Sequence, residues 1–216
     1  MSTAVQIPAG ACVLDADLAG PDSPVAVVAF AHGSGSSRHS PRNRSVATVL
    51  QEAGLATLLA DLLTPEEEQA DLRTGHLRFD IGLLADRLVA ISDWLAEEPT
   101  TSALPIGFFG ASTGGAAALV AAARRPQDVS AVVSRGGRPD LAGADLGAVR
   151  APTLLIVGGR DDVVLGLNQQ ALSELRGEKR LEVVPGASHL FEEPGALQTV
   201  AGLARGWFLD HLPKVA

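Results

Sequence analysis

At 216 residues, with a hydrophobic share of 46% and a charged share of 19%, the chain has the make-up of one globular domain over residues 1–216, taking roughly 150 residues per domain. Seventeen Lys and Arg against 25 Asp and Glu leave a net charge of −8, which argues against a general affinity for nucleic acid or for anionic membrane. The single cysteine, Cys12, excludes an intrachain disulfide framework and a Cys-rich zinc module. No basic leader opens the chain, and no apolar run approaches the roughly 20 residues that span a bilayer. The expectation is a soluble, cytoplasmic protein.

Taken in order, the elements alternate. Val5–Pro8 and Cys12–Asp17 read as an opening hairpin turned at Ala9-Gly10. Val25–Ala31 is a continuous apolar run between Pro24 and His32-Gly33, as a strand buried on both faces requires. Val46, Val49, Leu50 and Ala53 recur at helical spacing, and Gly54 closes that helix. Leu55–Ala60 is the next strand, followed by a polar stretch from Asp61 to Gly75 expected to be loop. Leu77, Ile81, Leu84, Leu88, Ile91 and Leu95 then mark one face of a helix.

The second half repeats the scheme. Strands are predicted at Ile106–Gly110, Val129–Ser134, Pro152–Val157 and Leu181–Val184, and helices at Thr113–Arg124, Leu167–Leu175 and Gly195–His211. This alternation implies one α/β domain, its sheet parallel except at the opening hairpin and flanked by helices on both faces. Eight strands are expected. The segment from Arg135 to Ala151 is too short for a separate lid.

Open parallel sheets bind ligands beyond the carboxyl ends of their strands, so the residues just after each buried strand matter most. Gly110-Ala111-Ser112-Thr113-Gly114 fits G-x-S-x-G between a predicted strand and a predicted helix. A serine on so sharp a turn leaves no room for side chains two positions away, and the following helix aims its N-terminal amides at developing negative charge. Ser112 is the expected nucleophile. A hydroxyl needs a base to take its proton, and the base needs an orienting carboxylate. His189, after the last strand, is the expected base. Asp161 is the expected acid, in preference to its neighbour Asp162, which would cap the next helix. The oxyanion of the tetrahedral intermediate requires two donors; the backbone N–H groups of Thr113 and Ser34 are assigned to it. His32 is read as bracing its own loop.

The Gly-rich stretch His32–Ser37 lacks the lysine of a phosphate loop and the spacing of a dinucleotide fingerprint. No His, Cys or carboxylate set has metal-ligand spacing. Neither a metal nor another cofactor is expected. Arg38, Arg42, Arg44, Arg135 and Arg138 follow strand ends near the site. Of these, Arg42 and Arg135 are assigned to holding an anionic group on the substrate, with loop support as the competing role.

The set His32-Gly33-Ser34-Gly35, Gly110-x-Ser112-x-Gly114, Asp161 before Val163-Val164, and Gly186-x-Ser188-His189 resembles the α/β-hydrolase superfamily from about Val25 to Leu212. Within it, the small lidless chain is similar to the dienelactone-hydrolase-like group. Members that act on dienelactone carry cysteine in the elbow, whereas this chain has serine. The resemblance therefore implies a serine hydrolase of small carboxylic esters, acting through an acyl-enzyme as a monomer or homodimer. Dienelactone hydrolysis and thioester hydrolysis on the same triad are alternatives, as is a non-catalytic binding protein on this fold.

Overall fold

The computed structural model describes residues 2–212. Eight strands form one sheet in the order β1-β2-β4-β3-β5-β6-β7-β8. They are β1 (Ser2–Ala9), β2 (Cys12–Ala19), β3 (Val27–Ala31), β4 (Ala56–Ala60), β5 (Ile106–Ala111), β6 (Val129–Arg135), β7 (Thr153–Gly158) and β8 (Lys179–Val184). The opening hairpin pairs antiparallel from Ser2↔Ala19 to Ala9↔Cys12, and β2 also meets β4 antiparallel. All other pairings are parallel. This is the α/β architecture that the alternation predicted, without a separate lid, and the α/β-hydrolase fold that the resemblance implied.

Side chains of the central strands alternate between two cores, as the period of two demands. Val27, Ala29 and Phe108 join the core under α3 (Ile81–Glu97), α4 (Thr113–Arg124) and α5 (Asp162–Glu174). Val28, Phe30 and Phe109 join the core under α1 (Pro41–Glu52) and α6 (Ala196–His211), with Leu50, Val200 and Phe208. Burial on both faces explains why β3 and β5 read as unbroken apolar runs.

Three elements differ from expectation. The stretch from Asp61 to Gly75 contains a helix, α2 (Pro65–Thr74). Thr64 and Glu67 form a reciprocal capping box, Pro65 occupies the first turn, and Gly75 ends the helix in the left-handed region. Only Asp71 of α2 is buried, so the helix has no apolar face for periodicity to reveal, and its caps were the only signal. The face beginning at Leu77 is interrupted: Leu77–Phe79 is a 3-10 turn, and α3 starts at Ile81 with the Asp80 carboxylate accepting from the Leu83 N–H at 3.0 Å. Third, α5 begins at Asp162, five residues ahead of the predicted Leu167. The Arg135–Ala151 connection is mostly 3-10 structure over Pro139–Ala148, broken at Gly143. No helix among the described residues is long and apolar enough to cross a membrane.

Register places the chemistry. Ala31 pairs with Gly110, Ala111 with Arg135, Arg135 with Ile156, and Gly158 with Val184. The segments that follow these strands therefore emerge side by side along one edge of the sheet.

Candidate active site

Ser112 stands between the end of β5 and the start of α4 with φ 52° and ψ −120°. A positive φ on a residue with a side chain is strained, and it persists only where the surroundings over-determine it. Here they do. The Ser112 N–H donates to the Arg135 carbonyl at 3.2 Å, and the Ser112 carbonyl accepts from the Gly115 and Arg138 N–H groups at 3.0 and 3.1 Å. A Cβ on Gly114 would lie 2.3 Å from the Ala31 carbonyl oxygen, and one on Gly110 would lie 2.4 Å from that of Gly114. Those are backbone atoms that cannot step aside, so the spacing of the motif is a steric requirement.

Asp161 and His189 meet across the ends of β7 and β8. The His189 ring Nδ1 lies 2.6 Å from Asp161 Oδ2. With a carboxylate as partner, Nδ1 carries the proton, which leaves Nε2 free to accept one. Asp161 is held by its own N–H donating to the Gly158 carbonyl at 3.0 Å, next to the Arg160 N–H donating to that of Ala187 at 2.9 Å. Asp162 is exposed at the first position of α5. The expected capping role for Asp162 is not found: Asp161 occupies the N-cap position, and neither side chain caps the helix.

The loop carrying His189 has a support that the sequence reading missed. Glu193 Oε2 accepts the Ser188 N–H at 3.0 Å. That bond, ahead of any other influence, holds the Glu193 carboxyl below the usual glutamate range. Phe191 is buried with φ 56° and pins the loop from beneath. The spacing from His189 to Glu193 carried no pattern by which to single it out.

Ser112 and His189 line one cavity of about 240 Å³. No hydrogen bond joins their side chains among the described residues, a looseness common in sites without substrate. Ser34 also lines this cavity, and a Cβ on Gly33 would lie 3.1 Å from the Cβ of Ser112. The β3 loop thus runs directly against the elbow. The backbone N–H groups of Ser34 and Thr113 have no acceptor among the described residues. His32 braces this loop as expected: Nε2 accepts the Leu62 N–H at 3.1 Å, and Nδ1 lies 3.0 Å from the Gly33 carbonyl.

The five arginines separate. Arg38 is bound to Asp61, Arg44 to Asp17 at 2.8 Å, and Arg138 to Asp140 through two bonds at 2.7 and 2.8 Å. These three support loops, the role set against substrate binding for the group. Arg42 and Arg135 line the cavity of Ser112 and His189. Among the described residues, no group of three His, Cys, Asp or Glu is placed to hold a metal ion.

An eight-stranded, mostly parallel sheet with a strained serine at the strand-to-helix turn defines an α/β hydrolase. The chain belongs to the dienelactone hydrolase family, whose model matches residues 14–205. The crystal structure of a dienelactone hydrolase from Anabaena variabilis is similar with a TM-score of 0.97, 62% identity and 99% of each chain covered. Est1E from Butyrivibrio proteoclasticus shares the fold at 17% identity, with a TM-score of 0.79 over 96% of this chain and 98% of that one. Two curated Mycobacterium tuberculosis proteins named as putative phosphoribosyl transferases are 62% identical over 208 residues, covering 96% of this chain and 46% of theirs. The chain spans about half the length of those curated relatives.

Proposed function

We propose that the chain is a carboxylic ester hydrolase working through an acyl-enzyme, with Ser112 as nucleophile, His189 as base and Asp161 as the orienting acid. The observation that carries this reading is the 2.6 Å Asp161–His189 pair opening on the same cavity as a serine held at positive φ. Ser112 Oγ attacks the ester carbon as His189 Nε2 takes its proton. The carbonyl oxygen becomes an oxyanion, met by the Ser34 and Thr113 N–H groups. His189 returns the proton to the leaving oxygen, and the alcohol departs. Water, deprotonated by the same nitrogen, then releases the acid and restores Ser112. Each step uses groups of this chain and water alone. Asp161 keeps the imidazole in the right tautomer and stabilises the imidazolium.

We extend the reading to a cytoplasmic enzyme, monomeric or homodimeric, whose open, lidless site suits a small soluble ester. The mycobacterial relatives' name does not transfer easily to this half of their length. A serine beside a His–Asp pair is equipped for acyl transfer to water rather than for displacement at a ribose carbon. The name of the Anabaena protein favours a second reading, lactone opening on the same triad; ring opening uses the same oxyanion site and differs only in that the leaving oxygen stays attached.

A fluorophosphonate probe tests the proposal. Labelling of the unmodified chain and none of Ser112→Ala is expected, with parallel loss of activity on an ester panel graded by chain length. Labelling at another serine, or turnover by Ser112→Ala near the unmodified rate, refutes it.

A further inference from the structure

We propose that the cavity shared by Ser112 and His189 receives the leaving group of the ester, and that Arg135, with Arg42 beside it, selects leaving groups bearing a carboxylate or phosphate. The inference rests on the hydrolase reading above, since it takes its direction from the role of His189.

Among the described residues, Arg135 is a buried cation without a counter-ion. It is 7% exposed, at the end of β6 and across the sheet from Ala111. Its one polar side-chain partner is Asn43 Oδ1, at 3.3 Å from Nη2. Nε has no partner among the described residues. The ring of Phe191 lies under the guanidinium at 5.9 Å. No carboxylate is among the residues lining the cavity. The nearest second charge is another cation, Arg42, whose one ion pair reaches the exposed Glu192 at 3.5 Å. Burial, and after it the charge of Arg42, pulls the Arg135 pKa down to about 10, so the group stays charged at neutral pH. Arg38, Arg44 and Arg138 are each already satisfied by an aspartate. A buried, unpaired guanidinium facing a cavity is favourable only when an anion enters.

Chemistry decides which half of the ester carries that anion. His189 must hand its proton to the leaving oxygen, so the leaving group lies on the side that His189 lines. The acyl group then points across the oxyanion donors, past the Gly33–Ser36 backbone. A neighbouring cavity of about 180 Å³ lies there, reached by Thr113 and Ser34 and walled by Leu63, Leu72 and Leu84. Its one cation, Arg78, is already paired with Asp71. A small apolar acyl group suits that side, and an anion suits the other.

Acetate esters with a constant acyl group provide the test. 4-Acetoxybenzoate and 4-acetoxyphenyl phosphate place the anion on the leaving group, methyl 4-acetoxybenzoate removes it, and mono-4-nitrophenyl succinate moves it to the acyl side. With kcat/KM normalised to each ester's spontaneous hydrolysis, one or both leaving-side anions are expected to exceed the neutral ester by about 10- to 150-fold. The member that gains more identifies the anion. Arg135→Gln should collapse this ratio, and Arg135→Lys should retain part of it. No charge preference, or a larger one for the succinate, overturns the proposal. Calorimetry of 4-hydroxybenzoate and phenyl phosphate on the Ser112→Ala protein separates the two readings. Binding that is lost on adding Arg135→Gln, without turnover of any ester by the unmodified chain, sinks the hydrolase reading and leaves the anion site standing. Should Arg135→Gln fail to fold, the order of the four esters on the unmodified chain decides the matter.

Discussion

Replacing Arg135 by methionine removes a buried charge that has no counter-ion among the described residues. Burial, and after it the charge of Arg42, lowers its pKa from the ordinary arginine range to about 10, which at about 1.4 kcal/mol per pH unit amounts to a penalty of about 3 kcal/mol. Against that stand a long hydrogen bond to Asn43 at 3.3 Å and a ring contact at 5.9 Å, together worth about 1–2 kcal/mol. Methionine fills much of the same volume and adapts to an irregular gap. Arg135→Met is therefore expected to gain about 1–2 kcal/mol in urea unfolding at pH 7, and to raise the melting temperature by roughly 2–8 °C for a domain of this size. The sign of the pH dependence is a further check. Between the folded and unfolded pKa values the unfolded chain binds more protons, so the unmodified protein gains stability as pH rises. The penalty is complete below about pH 9 and begins to be relieved as pH climbs past about 10, so the gap between the two proteins should narrow above that pH. A variant less stable than the unmodified chain at pH 7 by more than about 1 kcal/mol would show that Arg135 is structural cement, and the reasoning would fail.

Three further outcomes follow from the site. Ser112→Ala and His189→Ala should each lower kcat on a short activated ester by about 10⁶-fold, since members of a triad act as a unit; stopped-flow or long-incubation assays would show it. Asp161→Asn should cost about 10⁴-fold in kcat by favouring the wrong histidine tautomer, whereas exposed Asp162→Asn should cost little. The reverse ranking would move the acid to Asp162. The Glu193 carboxyl, held below its ordinary range by the Ser188 N–H, contributes fully above that range and loses its contribution as pH falls through the depressed value. Glu193→Ala should therefore shift the midpoint of acid unfolding, followed by circular dichroism, to higher pH; an unchanged midpoint would mean that the His189 loop does not depend on it.

The order of the elements was legible because the central strands are buried on both faces and announce themselves as apolar runs. The elbow was legible for a steric reason, since only glycine fits at positions 110 and 114, and that requirement is written in the residue types. Asp161 could be preferred to Asp162 from its place after the strand, and His189 from its place after the last one. The α2 helix was not read, because a helix polar on nearly every face has no hydrophobic period to detect. Glu193 was not found either, because its bond to Ser188 depends on how a loop closes.

The sequence by itself determined what is local: the periods of the strands and helices, the turn at Ser112, and the chain order of serine, aspartate and histidine. Only the tertiary structure decided which charges are met. Five arginines looked alike along the chain, yet Asp61 and Asp17, distant in sequence, neutralise Arg38 and Arg44, while Arg135 is left buried beside Asn43 and a second cation. The physical reason is range. Steric and periodic constraints act within a few residues, whereas a counter-ion is supplied through space by any segment the fold brings within about 4 Å.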